Sequence, residues 1–309
     1  MRQAELIITV ASWEERFLVG LRNLLSQSCP KNLIMYYFVE YADYTIDNRH
    51  KIEGLCEEKD IGVNSYHLTF KDSVKSWLTI YDTMNIEGTK GKEVTVDFTT
   101  MPRETLWTLL DLLNGYGAII QYVYHTPERY SSEWLSRDPG RPRIVYKLGG
   151  EARLGLPTIL LVLTGYDPDR VDQLIRFFDP YHTLLGVQTG EQFNNQTMNI
   201  AKYQHYLREP GVEIFSLNAY TSNHGFDSIE AQLRPYLDQH NIIMSSLGPK
   251  LSAIALYQLH KKYPQTALAY APSNEFNLEY SFGIDKTFTN LLVIGNDEKT
   301  EYSREAKID

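Results

Sequence analysis

The chain has 309 residues, of which 43% are hydrophobic and 22% are charged, a balance that suits a globular protein of one large or two modest domains. Its net charge of -9, from 39 acidic and 30 basic residues, excludes an overall positive field that would attract nucleic acid or an anionic membrane. Two cysteines are too few for a disulfide framework, and the lack of a signal-like start or of about 18 consecutive apolar residues predicts a cytoplasmic protein.

Short apolar runs alternate with helical patterns along residues 1–130. The predicted strands are Leu6–Ala11, Leu33–Val39, Val63–Phe70, Val94–Thr100 and Ala118–Tyr124. The predicted helices begin at Ser12 and continue at 46–58, 72–84 and 104–113, and Ser12-Trp-Glu-Glu15 matches a capping box. Strands that alternate with helices form a parallel sheet covered on both faces, so we expect a doubly wound unit.

Periodicity is lost between Thr126 and Pro157, which predicts a Pro/Gly-rich linker at 131–156 between an N-terminal unit (1–130) and a C-terminal unit (157–309). This linker is also the most basic stretch of the chain, with Arg137, Arg141, Arg143, Lys147 and Arg153. Two interpretations stay open, a solvated linker or a flap that closes on an anionic ligand or partner.

The alternation resumes in the second unit. The predicted strands there are Thr158–Leu163, Thr183–Val187, Val212–Leu217 and Asn241–Ser246, and the tail predicts a closing β pair at Leu278–Ile284 and Thr289–Ile294. Asp167-Pro168 supplies a helix cap and a first-turn proline. The sequence therefore predicts an α/β protein with two doubly wound, mostly parallel Rossmann-like sheets in tandem.

One βαβ block occurs twice, at Val94–Tyr130 and at Asn241–Asn274. In both blocks a Pro-cation pair, Pro102-Arg103 and Pro249-Lys250, stands at the start of the helix. Free backbone N–H groups and the positive end of the helix dipole attract anions at such a position. We therefore expect a phosphate site in each half.

The strand ends carry small or hydroxyl-bearing residues that we take as ligand-binding candidates together with the two cations. These candidates are Ser12, Thr99, Thr100, Arg103, Thr164, Gly165, Thr189, Gly190, Ser246, Gly248 and Lys250. In an open parallel sheet the carboxyl ends of the strands share one rim, where ligands bind. The chain lacks the standard dinucleotide, P-loop, zinc-protease and serine-hydrolase motifs, no His/Cys/Asp group has metal-ligand spacing, and no cofactor is expected.

Several of the polar residues also have ordinary structural interpretations. Arg103 and Lys250 could pack their stems on the sheet edge, and Asp97 could pair with Arg103 or act as a base. For Arg16 and Arg170 we expect surface salt bridges. Of the 8 histidines, only His205 and His224 have positions that could approach the rim, and we expect structural roles for both.

The turn Ser246-Leu-Gly-Pro-Lys250 after a strand and before a helix resembles the glycine-lysine turn of CRISPR-associated Rossmann fold (CARF) domains. That resemblance implies a dimeric sensor of cyclic oligoadenylates in prokaryotic defence, with Gly248 and Lys250 contacting the ligand. Ser12 and Thr164-Gly165 are the two candidates for the equivalent of the family's first turn. The chain departs from the family because proline precedes the lysine and because two Rossmann-like halves lie in one chain without a recognisable nuclease domain.

Three functions follow from these patterns. The first is a sensor or regulatory protein that binds a nucleotide or another phosphate-bearing small molecule, in a defence system, as a homodimer or with a partner protein. The second is a nucleotide hydrolase or cyclic-nucleotide phosphodiesterase that uses the same rim. The third is an interaction subunit of a larger complex. Because no catalytic triad is evident, the sequence favours binding.

Overall fold

The computed structural model describes residues 5–189 and 196–294 of the chain. The strands are β1 (Leu6–Val10), β2 (Asn32–Phe38), β3 (Gly62–Leu68), β4 (Glu93–Asp97), β5 (Ile119–His125), β6 (Arg129–Tyr130), β7 (Ser136–Pro139), β8 (Arg143–Ile144), β9 (Thr158–Leu163), β10 (His182–Gln188), β11 (Val212–Leu217), β12 (Asn241–Ser246), β13 (Ala267–Tyr270), β14 (Ser273–Phe276), β15 (Ser281–Phe282) and β16 (Thr287–Leu291). The α-helices are α1 (Glu15–Ser28), α2 (Ala42–Glu58), α3 (Ser73–Ile86), α4 (Arg103–Gly115), α5 (Pro168–Phe178), α6 (Gln196–Tyr203), α7 (Phe226–Leu233) and α8 (Lys250–Lys262).

Two six-stranded sheets repeat one topology. The first has the order β16-β5-β4-β1-β2-β3 and the second has the order β8-β13-β12-β9-β10-β11. In each, the strands of the alternating half-chain pair in parallel, and one antiparallel strand closes the edge. The predicted fold class, two mostly parallel Rossmann-like sheets in tandem, is confirmed.

The two repeated blocks pack against each other through their helices α4 and α8. Their faces are apolar, and the core contains residues from both halves. Trp107 on α4 is fully buried, and its indole N–H donates to the carbonyl oxygen of Ala253 on α8 at 2.8 Å. A buried polar group needs such a partner. This contact therefore fixes how the two halves meet.

Four helix starts follow the sequence, whereas α2 begins at Ala42, four residues before the predicted start at 46. The Asp72 and Asp167 side chains cap α3 and α5, and Pro102 and Pro249 occupy the N-cap positions of α4 and α8. The predicted capping box at Ser12 is wrong because α1 begins only at Glu15 and has no side-chain cap.

The predicted closing β pair of the tail is also wrong. Strand β15 pairs with β6, and β16 adds to the first sheet by pairing antiparallel with β5. Both tail strands thus return to the first half, where β16 covers β5, the edge strand of the parallel sheet, and β15 forms a two-stranded sheet with β6. No helix among the described residues is long and apolar enough to cross a membrane.

Residues 131–156 are more ordered than a solvated linker. Strand β7 pairs with β14, and β8 pairs with β13 in the second sheet. Arg143 forms a bidentate salt bridge with Glu104, in which its Nε donates to Oε1 at 2.8 Å. Arg153 donates to the carbonyl oxygens of Leu237, Asp238 and His240, each at 2.8 or 2.9 Å. Arg143 therefore ties the segment to α4 of the first half, and Arg153 ties it to the second half. The division into independent domains stays a prediction.

Candidate functional site

The carboxyl ends of the central strands of both sheets meet at one set of adjoining cavities. An outer cleft has a volume of about 550 Å³ and is lined by Arg103, Arg129, Arg170 and Lys202 among others. Two smaller spaces adjoin it. The tyrosine chamber, of about 80 Å³, is lined by Tyr124, Tyr130, Tyr166, Tyr220 and Tyr280 with Arg16, Arg103 and Lys250. The aromatic chamber, of about 110 Å³, is lined by Trp13, Phe38, Tyr41, Phe70, Tyr270 and Phe276 with Arg103, Arg170 and Lys250.

Arg103 and Lys250 lie at equivalent helix starts and each reaches across to the other half. Arg103 on α4 donates through Nη2 to the carbonyl oxygen of Gly248, which precedes α8. Lys250 on α8 donates through Nζ to the carbonyl oxygen of Thr99, which precedes α4, at 2.7 Å. The exchange is reciprocal, so the two cations hold the rims of both halves together and line the shared space.

Arg16 is a buried cation with a full set of partners. Its side chain donates to Oε2 of Glu14 through Nη2 at 2.7 Å and Nε at 3.1 Å, and to the carbonyl oxygen of His125 at 3.0 Å. Ser281 also donates to the same Glu14 oxygen. Burial alone would raise the pKa of Glu14, but Arg16, Lys250 and Ser281 together lower it below its ordinary value. Glu14 is therefore held as a carboxylate that neutralises Arg16.

Arg170 is a buried cation without such neutralisation. It is 8% exposed, its Nη2 donates to the carbonyl oxygen of Ala271, and its Nε has no hydrogen-bond partner. The Nε of Arg103 also lacks a partner. Within the described part of the chain, neither guanidinium has a carboxylate at salt-bridge distance. Burial lowers the pKa of Arg170, and Arg103 lowers it further, against opposing contributions from Tyr270 and Asp167. The cavities thus hold two guanidinium groups without a paired carboxylate, while the carboxylates that line them, Glu14, Glu133 and Asp167, lie farther than a salt bridge from both.

The other titratable groups of the cavity favour an anion as well. Burial, with Arg16 and Arg103 nearby, holds the pKa of Lys250 well below its ordinary value, so an added negative charge would favour its ammonium form. Burial raises the pKa of Tyr130, Tyr220 and Tyr280. These phenols remain protonated at neutral pH and can donate hydrogen bonds to an anionic oxygen.

Most of the predicted ligand-binding residues lie around these cavities. Arg103 lines all three, Lys250 lines the two chambers, Thr164, Gly165 and Gly248 line the tyrosine chamber, and Ser12 and Thr100 line the aromatic chamber. Neither Gly165 nor Gly248 has room for a side chain. A Cβ on Gly165 would stand 2.1 Å from the Leu247 carbonyl oxygen, and one on Gly248 would stand 2.4 Å from the Thr164 carbonyl oxygen. Two backbone turns approach closely there, so only glycine fits.

The other predicted site residues have structural partners. Thr99 is fully buried and its Oγ1 accepts from the His125 N–H at 3.0 Å, while Ser246 contacts Ser252 at 3.1 Å between hydroxyl oxygens. Thr189 follows β10 and its backbone N–H donates to the carbonyl oxygen of Leu217 at 2.8 Å, away from the three cavities. Gly190 lies outside the described residues.

The geometry corrects the pairing suggested for Asp97 and the surface salt bridges expected for two arginines, and it agrees with the structural role expected for His224. Asp97 does not pair with Arg103, because its Oδ1 accepts from the Thr99 N–H at 3.0 Å. The surface salt bridges expected for Arg16 and Arg170 are wrong, since both side chains are buried. His224 is buried with its Nε2 at 2.5 Å from the Tyr122 hydroxyl, and this contact keeps it out of the cavities.

Sequence reasoning missed several of the residues that line the site. Trp13 and Glu14 are the two middle residues of the predicted capping box, so they were given no role in the site. Tyr280 lies in the tail, which reaches the first half only through tertiary pairing. The available signal was the high tyrosine count of 22, because amphipathic rings are useful at ligand pockets. No group of three or more potential metal ligands occurs among the described residues.

Comparisons with known proteins give weak similarities. No family model matches the chain, and no curated protein matches it. Protein VC1899 from Vibrio cholerae is 9% identical with a TM-score of 0.31, over 38% of this chain and 30% of that one. Can2 from Sulfobacillus thermosulfidooxidans, solved with cyclic tetra-adenylate, is 11% identical with a TM-score of 0.28, over 38% and 31%. A candidate universal stress protein from Pseudomonas aeruginosa UCBPP-PA14 is 11% identical with a TM-score of 0.28, over 86% and 92%.

Proposed function

We propose that the protein is a sensor or regulatory protein that binds a phosphate-bearing small molecule in the cavities between its two halves, and that nucleotides are the class to test first. The observation that carries this proposal is the pair of guanidinium groups, Arg103 and Arg170, which line the same cavities and have no carboxylate partner among the described residues. The resemblance of the Gly248–Lys250 turn to CARF domains adds cyclic oligonucleotides and a role in prokaryotic defence to this proposal.

The unpaired guanidinium groups favour an anionic ligand for energetic reasons. A buried cation without a counterion is destabilising, and a bound anion with several oxygens would remove that penalty. Arginine suits this role because its planar fork matches phosphate oxygens. The helix starts at Arg103 and Lys250 also present free backbone N–H groups and the positive ends of two helix dipoles. Phosphate satisfies all of these donors better than a neutral ligand does.

The same geometry favours binding over catalysis. A hydrolase acting here would need a base beside the reacting atoms. Glu14, the carboxylate that lines the aromatic chamber, already accepts from Arg16 and Ser281. Asp167, in the outer cleft, caps the N–H of Arg170 at 3.3 Å. These two carboxylates therefore have structural roles, and Glu133, which also lines the outer cleft, is exposed. A nucleotide hydrolase or phosphodiesterase, for which Glu133 is the base to test, is an outcome of the test rather than the proposal.

The test combines identification of the ligand with a matched pair of lysine variants. Mass spectrometry of the purified protein should find a co-purified phosphate compound, and calorimetric titration with linear and cyclic nucleotides should give saturable binding. Lys250→Ala should weaken that binding by about 1.5–3 kcal/mol, the scale of a hydrogen bond to a charged group, and Lys250→Arg should not restore it. The control is Lys261→Ala on the same helix, where the ammonium contacts Asp111 at 3.2 Å.

Each result selects one function. Binding that is lost in Lys250→Ala but kept in Lys261→Ala, without product formation by the wild type, supports the sensor. Product formation supports the enzyme. A wild-type protein that binds none of the panel and carries no ligand contradicts the proposal and leaves the interaction subunit.

A further inference from the structure

The aromatic chamber is walled by rings from distant parts of the chain. The Trp13 and Tyr41 ring centroids lie 5.2 Å apart, and Tyr41 meets Phe70 and Phe276 edge-on, each at 5.8 Å. Phe70 in turn stacks on Phe38 at 3.7 Å. The rings therefore fix one another, and the chamber of about 110 Å³ that they enclose is already formed.

These rings differ from ordinary core residues in two respects. Trp13, Tyr41, Phe70 and Phe276 are only partly buried, so part of their surface faces the chamber or the solvent. The indole N–H of Trp13 has no hydrogen-bond partner although it is shielded from water. By contrast the Tyr41 hydroxyl donates to the carbonyl oxygen of Asn274 at 3.0 Å, which anchors that ring. A buried donor without a partner is uncommon and invites an acceptor on a ligand.

Cations form the other wall of this chamber. Arg103, Arg170 and Lys250 line it together with the rings, and Arg103 also lines the outer cleft and the tyrosine chamber. A ligand in the aromatic chamber would thus meet both apolar ring faces and positive charge, since the carboxylate that lines the chamber, Glu14, is already paired with Arg16. That combination selects a molecule with a flat ring joined to an anionic group.

Resting on the proposed function, we infer that the aromatic chamber is the base subsite of a nucleotide whose phosphate lies against Arg103. At about 110 Å³ the chamber is smaller than the ~300 Å³ at the lower end of pockets that enclose a whole ligand, so it takes one ring system. The adjoining cleft of about 550 Å³ has room for the rest of the molecule. Stacking accepts any base, and a ring nitrogen or carbonyl of the base accepts from the Trp13 N–H.

The test compares ligands that share a phosphate but differ in the ring. The four ribonucleoside 5′-monophosphates and dinucleotides linked through 3′,5′-phosphates are titrated beside ribose 5-phosphate and pyrophosphate. At least one base-bearing ligand should bind about tenfold more tightly than ribose 5-phosphate, and Trp13→Leu should remove most of that advantage while leaving ribose 5-phosphate unchanged. Trp77→Leu is the matched control, because Trp77 stacks on Tyr81 and lines none of the three cavities.

The outcomes separate this inference from the function on which it rests. If base-bearing and ring-free phosphates bind equally and depend on Lys250 but not on Trp13, the phosphate site stands and the base subsite is wrong. If nothing in the panel binds, both fail. Should Trp13→Leu not fold, as judged by circular dichroism, Phe276→Leu replaces it at the same wall. A loss of base preference in Phe276→Leu supports the subsite, and a retained preference overturns it.

Discussion

Arg16 and Arg170 occupy the same place in the two halves and differ in one neighbour. Each lies in the first turn of the first helix of its half and donates to a carbonyl oxygen at the end of the fifth strand, His125 for Arg16 and Ala271 for Arg170. Two residues before Arg16 stands Glu14, which neutralises it. Two residues before Arg170 stands Pro168, which begins α5 and carries no charge.

This difference indicates that equivalent arginines in a repeated fold can have different roles. Arg16 joins the first helix to the sheet and, together with Glu14, forms a pair without net charge. Arg170 makes the same contact beside the cavities but has no carboxylate at salt-bridge distance among the described residues. A buried charge that is tolerated without a partner indicates a functional use more than a stabilising one. We therefore propose that Arg170 binds the anion together with Arg103, whereas Arg16 has a structural role.

The largest expected effect is on folding, in the first half. Glu14→Gln should lower the free energy of unfolding by about 3–5 kcal/mol, because it leaves Arg16 as a buried charge without its partner. Urea denaturation followed by circular dichroism measures this change. The control is Glu57→Gln on the exposed face of α2, which should change stability by less than ~0.5 kcal/mol. A Glu14→Gln protein as stable as the wild type would show that the pair is not structural.

A smaller effect is expected in the second half, and on binding rather than folding. Arg170→Met keeps the apolar stem but removes the guanidinium, so affinity for a phosphate ligand should fall by about 1.5–3 kcal/mol. Stability should change little or rise, since a buried charge without a carboxylate partner is removed. Calorimetric titration and urea denaturation of the same preparation measure both quantities.

Arg176→Met provides the comparison for this variant. Arg176 is on the same helix but is exposed and lines none of the three cavities, so neither affinity nor stability should change appreciably. The converse substitution, Pro168→Glu, would give Arg170 the carboxylate that Arg16 has and should also weaken binding. Unfolding of Arg170→Met as severe as that of Glu14→Gln would remove the distinction between the two arginines.

The sequence predicted the architecture well because local periodicity governs it. Buried runs such as Thr158–Leu163 read directly as strands, and the Pro-cation pairs marked the starts of α4 and α8 at Arg103 and Lys250. The tail strands were misplaced because β15 and β16 have no local signal for a partner in the first half. Antiparallel addition to a distant sheet edge is decided by tertiary packing.

The candidate site was predicted only where it coincides with strand ends. Residues such as Thr164 and Gly248 follow strands and could be placed on the rim, and whether they bind a ligand stays a prediction. The pairing of Glu14 with Arg16 was not foreseen, because the capping-box interpretation used Ser12 and Glu15 and gave Glu14 no role. The aromatic chamber was not foreseen either, since Trp13 and Phe276 meet only after both halves have folded.

The smallest expected effect is a change in the number of protons that the protein binds. It concerns Lys250, which lies near Arg16 and Arg103. Burial and the charges of Arg16 and Arg103 place its pKa well below the ordinary value of 10.5. Between these two pKa values the unfolded chain binds more protons than the folded chain, so the contribution of Lys250 to stability rises with pH across that window. A bound phosphate acts in the opposite direction because its negative charge favours the ammonium form.

Ligand binding should therefore raise the pKa of Lys250 and take up a fraction of a proton from the buffer. Titrations at a series of pH values from about 7 to 10, each in two buffers with different enthalpies of ionisation, measure this uptake below the ordinary lysine pKa. Lys250→Met should abolish the uptake across this series, whereas Lys261→Met should retain it because the Lys261 ammonium already contacts Asp111. Proton release by the wild type, or uptake that persists in Lys250→Met, would show that the phosphate lies away from Lys250 and nearer to Arg170 alone.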